Sequence, residues 1–318
     1  MTMPVGTFNT FSAFGNREDL SDIIYNVDPT ETPFISGIDK ARATAVLHEW
    51  QTQALAAVNS VNSVLEGDDA TTDTATATVR LGNILQISDK VARVTGTQRN
   101  VDHAGRDDEL DYQVMLKGRE LKRDMETIVL ANQGKASGSP TVPRALGAVL
   151  AYIFSNTSKA TTGSDPSSLG GGASTRTDGT MRAFTEALLK TVLQSIWNNG
   201  GDPNVVLAGG FNKQQFSTFT GRSTPMEEAG SRKIVATVDV YQSDFGSLKV
   251  VPDRFMRARD VLILQMDMWG LATLKGRNML SQDLAKTGDS DQRQLLTEYT
   301  LEARNEKGSG GVFDVTSA

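Results

Sequence analysis

The sequence predicts an α+β fold, with helices and strands partly segregated along the chain rather than alternating. Three observations predict it: one long amphipathic helical stripe over 102–133, a strand pair before it that brackets a long polar middle, and a run of short strands after a second helix. The chain has 318 residues, enough for one large or two medium domains. Its 32 Lys plus Arg stand against 38 Asp plus Glu, a formal net charge of -6, with 38% hydrophobic residues. An acidic balance argues against a protein whose main affinity is for phosphate backbone or anionic lipid. Cysteine is absent, which excludes a disulfide framework, a thiolate nucleophile and thiolate metal sites. No stretch reaches the ~18 to 20 apolar residues of a membrane span, and residues 1–15 carry neither the basic nor the apolar region of a signal peptide, so a soluble protein is expected.

The first 45 residues read as an irregular arm with a short apolar patch at Leu20, Ile23, Ile24 and Tyr25. Pro29 and Pro33 lie four apart, which fixes φ twice and disfavours helix at Asp28 and Thr32, so the chain there is extended or turning. Residues 44–52 suit a strand. Over 74–81 the alternation is clean, with Ala75, Ala77, Val79 and Leu81 facing one way and Thr74, Thr76, Thr78 and Arg80 the other. The middle, 53–73, is polar with scattered valines, which makes a long hairpin with a floppy or partner-dependent tip. Gly82 interrupts the pattern and marks a bulge or bend. A two-stranded hairpin is marginal alone in water, so this one should lie on the rest of the molecule.

Residues 102–133 carry the strongest helical signal. Leu110, Val114, Leu121, Met125 and Ile128 fall on one stripe, Asp107, Asp108, Glu109 and Asp111 crowd the first turns where the macrodipole favours them, and Gly134 stops the run. About 30 residues make a rod of roughly 45 Å. A Gly/Ser/Pro connector at 135–143 and a polar stretch at 155–180, containing Gly170, Gly171 and Gly172, read as surface loops. A second amphipathic helix over 181–198 presents Phe184, Leu188, Val192 and Ile196. Strands follow at 205–208, 234–241, 248–251 and 261–265, and 292–304 is a late strand with one wetter side.

The search for chemistry is negative. Neither a phosphate-binding loop nor a dinucleotide fingerprint is present. His48 and His103, the only histidines, fall in different elements and read as packing or solvent-facing residues. Glu66, Asp68 and Asp69 in the hairpin tip, and Asp289 and Asp291 near residue 290, read as solvated turns; the second group fails the calcium-loop template because Arg293 and Gln294 stand at its fifth and sixth places. Arg119, Lys122 and Arg123 alternate with Glu120, Asp124 and Glu126, a mixed solvated face. Trp50, Trp197 and Trp269 read as core or interface.

An arm, a long unsupported hairpin and a lone long helix belong to a chain that buries surface against neighbours. Here the sequence resembles the major capsid proteins of tailed bacteriophages. The resemblance rests on Ile23-Ile24-Tyr25-Asn26-Val27-Asp28-Pro29-Thr30-Glu31-Thr32-Pro33-Phe34, on Tyr241-Gln242-Ser243-Asp244-Phe245-Gly246 running into Val250-Val251-Pro252-Asp253-Arg254-Phe255-Met256, on Leu284-Ala285-Lys286-Thr287-Gly288-Asp289, and on residues 298–307 with Arg304-Asn305-Glu306-Lys307. It implies the Hong Kong 97-type capsid fold: an N-terminal arm (1–43), an extended loop (44–95), a peripheral domain with its spine helix and the polar insertion (96–180), an axial domain (181–285) and a return to the peripheral domain (286–318).

It further implies a structural protein, not an enzyme, with no cofactor or metal. Identical subunits would assemble as hexamers and pentamers into an icosahedral head around double-stranded DNA held without sequence-specific contacts. A portal protein at one vertex, a separate scaffolding protein and a decoration protein are the other implied partners, with assembly in the host bacterial cytoplasm and no membrane. Tyr25, Pro29, Pro33 and Phe34 of the arm and Trp50, Val64, Leu65, Glu66 and Asp68 of the loop are the expected assembly contacts; Leu110, Val114, Leu121, Met125 and Ile128 are the expected packing face of the spine helix. Two departures matter. Only about 20 residues precede the Ile23 patch, which points to scaffolding by a separate chain, and no lysine lies between Lys40 and Lys90, which argues against covalent welding through the loop. An encapsulin-like nanocompartment shell is the alternative reading.

Overall fold

The computed structural model describes residues 31–70, 72, 75–102, 108–219 and 239–317. Pro33 takes the first helical position, where its missing N–H has no intrahelical partner to lose, so the expected turn becomes a short helix, α1 (Pro33–Gly37). The strand expected over 44–52 forms from residue 47 as β2 (Leu47–Thr52), and a further strand, β1 (Asp39–Ala43), lies in the segment expected to be irregular; the two part at a bend because they join different sheets. β2 pairs antiparallel with β3 (Val79–Ile84), from Leu47 opposite Ile84 to Thr52 opposite Val79. The alternation over 74–81 thus yields strand only from Val79. Residues 75–78 are exposed and unpaired, since Ala75 and Ala77 offer little surface to bury.

β4 (Gln86–Thr95) and α2 (Gly96–Asn100) follow, the latter capped by the Thr95 hydroxyl accepting from the Gln98 N–H. The long helix is α3 (Glu109–Val129): 21 residues, about 32 Å rather than 45 Å. Asp108 caps it, accepting from the Leu110 N–H at 2.7 Å, and Glu109 and Asp111 lie in its first turn. α4 (Val149–Tyr152) and β5 (Thr157–Ser158) come next. The polar stretch 155–180 is loop, yet more than a surface excursion. Asn156 and Arg176 are buried within it, and the Arg176 guanidinium lies 3.3 Å from the centre of the Phe313 ring. α5 (Glu186–Asn198) begins later than expected, with Phe184 buried just ahead of it.

The rest is mostly sheet: β6 (Val205–Ala208), α6 (Gly210–Phe216), β7 (Val240–Ser243), β8 (Gly246–Pro252), β9 (Val261–Leu264), β10 (Trp269–Leu274), β11 (Leu280–Asp283), β12 (Ser290–Ala303) and β13 (Gly310–Val312). The strand expected over 234–241 is described only from residue 239, where β7 forms. Six strands make one sheet in the order β5-β13-β9-β6-β8-β7. In the other, β12 is the axis: β4 runs along one edge from residue 290 to 299, while β11 and then β10 share the other, with β1 parallel to β10 outside. The wetter side expected of this strand is largely dry: Leu296, Glu298 and Thr300 are buried, and Glu302 keeps some exposure.

The six-stranded sheet packs two ways. Val206, Ala208, Val261 and Ile263 meet Leu189, Val192, Leu193 and Ile196 of α5, while Leu207, Leu262 and Leu264 join the main core. That core also takes in Phe34, Trp50, the segment from Leu146 to Ile153, Trp269, Tyr299 and the C-terminal half of α3. One apolar interior therefore ties α1, the hairpin base, the long helix and both sheets together.

Candidate assembly surfaces

The hairpin base is fastened by polar groups as much as by apolar ones. Asn83, fully buried in β3, donates to the carbonyls of Gly147 at 2.9 Å and Leu301 at 2.8 Å, while its side-chain oxygen accepts from the Gly147 N–H at 2.7 Å and the Ile84 N–H at 2.9 Å. An amide with every group satisfied fixes register and orientation at once. Gly82, expected to mark a bulge, is regular strand opposite Glu49. A Cβ there would meet the Glu49 side chain at 2.9 Å and the His48 carbonyl at 3.1 Å, and its own carbonyl accepts from Lys135 and from the Tyr152 hydroxyl. Trp50 packs on Tyr152 with ring centres 6.1 Å apart. His48 Nε2 lies 3.8 Å from Glu302, whose carboxyl is held below its ordinary range by His48 and then by Arg304.

Beyond this base the described residues of the loop, 53–70, 72 and 75–78, are exposed. Its hydrogen bonds are local: Gln53 to the Thr76 carbonyl, Asp68 N–H to the Leu65 carbonyl, Val61 N–H to Asn59. Leu55 and Val58 are 97% and 98% exposed, and Val61, Val64 and Leu65 are 77–83% exposed. Five large apolar side chains on one loop are left in water, where a monomer would hide them.

The arm ends on α3. The N–H groups of Phe34 and Ile35 donate to the two oxygens of the fully buried Glu126 carboxyl, at 2.7 and 2.8 Å. Burial, then the negative charge of Asp253, pushes Glu126 up to about 7 against the pull of those two donors, and burial raises the neighbouring Asp253 as well. The Phe34 ring meets Trp269 edge-on, with centroids 6.4 Å apart.

Of the expected contact residues, Tyr25 and Pro29 lie outside the described residues. Pro33 opens α1. Phe34 and Trp50, expected to touch neighbours, face inward instead: at 0% and 9% exposure they have no surface left to bury elsewhere, because α1 and the hairpin base fold onto their own core. Val64, Leu65, Glu66 and Asp68 sit together in the exposed tip. On α3, Leu110, Leu121 and Met125 are buried and Val114 and Ile128 half-buried, as the stripe predicts. Among the described residues no group of three or more metal-ligating side chains occurs; Asp291 is engaged by Arg99 and Lys286. Trp197 is 58% exposed beside Phe245, so of the three tryptophans it alone lies at the surface. Glu126, expected on a solvated face of the long helix, is instead fully buried, because α1 docks over it and gives its carboxyl two N–H donors. Sequence reading gave no role to Asn83 or to Asp253; a polar residue inside an apolar strand was the signal for the first, and spacing did not mark the meeting of Glu126 with Asp253.

A firmly seated base below an exposed apolar tip is the geometry of a subunit that buries surface against neighbours. The likeness to solved structures places the fold among phage capsids: a Cyanophage A-1(L) capsid asymmetric unit aligns with a TM-score of 0.65 over 97% of this chain and 98% of that one at 12% identity, and a Microbacterium phage Oxtober96 chain aligns with a TM-score of 0.63 over 94% and 95% at 14% identity. The model of the SU10 major capsid protein family matches residues 4–316, and the chain belongs to that family. The major capsid protein of Escherichia phage Phieco32 is 25% identical over 345 residues, covering 96% of both chains. The fold is thus the Hong Kong 97 type expected from the sequence, and the chain is a structural major capsid protein of a phage virion rather than an enzyme. Such a protein builds a capsid from copies of itself.

Proposed function

We propose that this chain assembles as hexamers and pentamers into an icosahedral head around double-stranded DNA, and that the loop 53–78 makes a principal contact between subunits. The exposed apolar tip carries the proposal: Leu55, Val58, Val61, Val64 and Leu65 gain nothing from their own chain and need a neighbour. Each such overlap should bury roughly 1,000 Å² or more, and closure of the shell multiplies it. On this reading residues 1–43 are the arm, 44–95 the extended loop, 96–180 and 286–318 the peripheral domain and 181–285 the axial domain. The hairpin base at 47–52 and 79–84 then anchors the loop, and β4 belongs structurally with the sheet that β12 organises.

The net charge of -6 suits a wall that encloses DNA without gripping it. A portal protein at one vertex, separate scaffolding and decoration proteins, and assembly in the host cytoplasm complete the proposal. Deletion of 53–73 tests it. Folded subunits or capsomers without closed shells are expected, and intact particles of wild-type stability would overturn the role given to the tip.

A further inference from the structure

Glu126 and Asp253 form a buried acid pair at a junction of three elements. Glu126 lies on α3 with no exposed surface; Asp253 follows β8 and is 2% exposed. The Glu126 oxygens receive two N–H groups from α1. Asp253 Oδ1 receives the Phe255 N–H at 2.8 Å, whereas its Oδ2 is buried with no hydrogen-bond partner, so long as both carboxyls are counted as ionised. Two carboxylates side by side in an apolar interior repel, and neither has a proton to offer the other. One proton between them removes the charge conflict and gives the orphaned oxygen a partner. The other charged groups near the site do not neutralise the pair. α1 carries no titratable side chain; Lys40 of β1 turns its ammonium to the Ile35 carbonyl and feels the charge of Glu126 without bonding to it, while Lys122, one turn back on α3, repels Lys40.

We propose that Glu126 and Asp253 share a single proton and work as a pH-sensitive clasp that holds α1 and the end of β8 on the long helix, and that loss of this proton loosens α1. The sign follows from linkage. The closed clasp keeps its proton to about pH 7, whereas a carboxyl released to water loses it near 4.5. Closing therefore takes up a proton between these values, and the clasp weakens as pH rises through the window, by at most about tenfold per unit, then levels off. This behaviour is a property of the subunit itself and does not depend on the capsid reading.

The test is hydrogen–deuterium exchange of the full-length protein from pH 5 to 8.5, corrected for intrinsic rates, read over residues 33–38 with α5 as internal reference. Wild-type protection of α1 should fall from pH 5 to about 7 and then level, and fall more steeply than that of α5. Asp253→Asn, whose amide donates permanently to Glu126, should abolish the slope and keep protection at the low-pH level. Glu126→Gln, left with one acceptor for two N–H groups, should show weak, pH-independent protection. In parallel, the wild-type minus Asp253→Asn infrared difference spectrum at pH 6 should contain the carbonyl band of one protonated acid, above what Asp260 contributes to both. A flat wild-type profile, an Asp253→Asn profile with the wild-type slope, or α5 moving in step with α1 would each overturn the clasp. Wild type and Asp253→Asn decide the matter even should Glu126→Gln fail to fold.

Discussion

Phe34→Ala removes the side chain that seats α1. The ring has no exposed surface, lies in the main core, and meets Trp269 edge-on at 6.4 Å. Emptying such a site costs about 3–5 kcal/mol, transfer loss and cavity together. With an unfolding entropy of roughly 2.1 cal/mol/K per residue, a chain of 318 residues loses about 0.7 kcal/mol of stability per degree, so the midpoint should fall by about 4–7 °C. The assay is a thermal melt of unassembled protein at fixed pH and concentration, paired with limited trypsin digestion. Lys40, whose ammonium is held by the Ile35 carbonyl, should become a cleavage site as α1 detaches. Ser36→Ala, at an exposed position of the same helix, is the control and should stay within about 0.5 kcal/mol. A shift below about 2 °C with Lys40 still protected would refute the idea that Phe34 holds α1.

Asn83→Ala leaves the Gly147 N–H and the Gly147 and Leu301 carbonyls buried without partners, and should cost about 2–4 kcal/mol, read by urea unfolding; a loss under 1 kcal/mol would mean that water replaces the amide. Stability should decline between pH 5 and 7. Burial pushes Asp260 up to about 6 against the opposing pull of Arg257 and Arg176, and Glu126 up to about 7, so the folded chain binds these protons more tightly than the unfolded one, and the stability they contribute below about pH 4 is lost as pH rises. Carboxyls held low, such as Glu302, act with the opposite sign but only in more acid solution. A midpoint that rises or stays level from pH 5 to 7 would contradict this assignment.

Much of the architecture was legible because it is written in local periodicity. The stripe from Leu110 to Ile128 placed α3, and β6 was found at its observed bounds, since β-branched residues bounded by Asp202-Pro203 and Gly209 leave few alternatives. β4 escaped because its pattern points the wrong way: Ile87 and Val91 are exposed, and the small or polar Ser88, Lys90 and Ala92 face the protein. β12 misled for the opposite reason. Its polar face is largely dry because Glu298 is held by Arg144 and Arg277 and Thr300 by the Ile84 carbonyl, partners that only tertiary structure supplies. That 53–73 departs from the sheets as a long exposed loop was recognisable from its polarity, length and scattered valines. The inward turn of Phe34 and Trp50, and the meeting of Glu126 with Asp253 more than a hundred residues on, are consequences of packing and left no trace in spacing.

Electron microscopy of the purified protein, alone and within its native particles, tests the central claim of assembly most directly. Uniform closed angular shells several times wider than a subunit, with 53–73 lying on an adjacent copy, are the predicted result; a monodisperse compact monomer from both sources would contradict it.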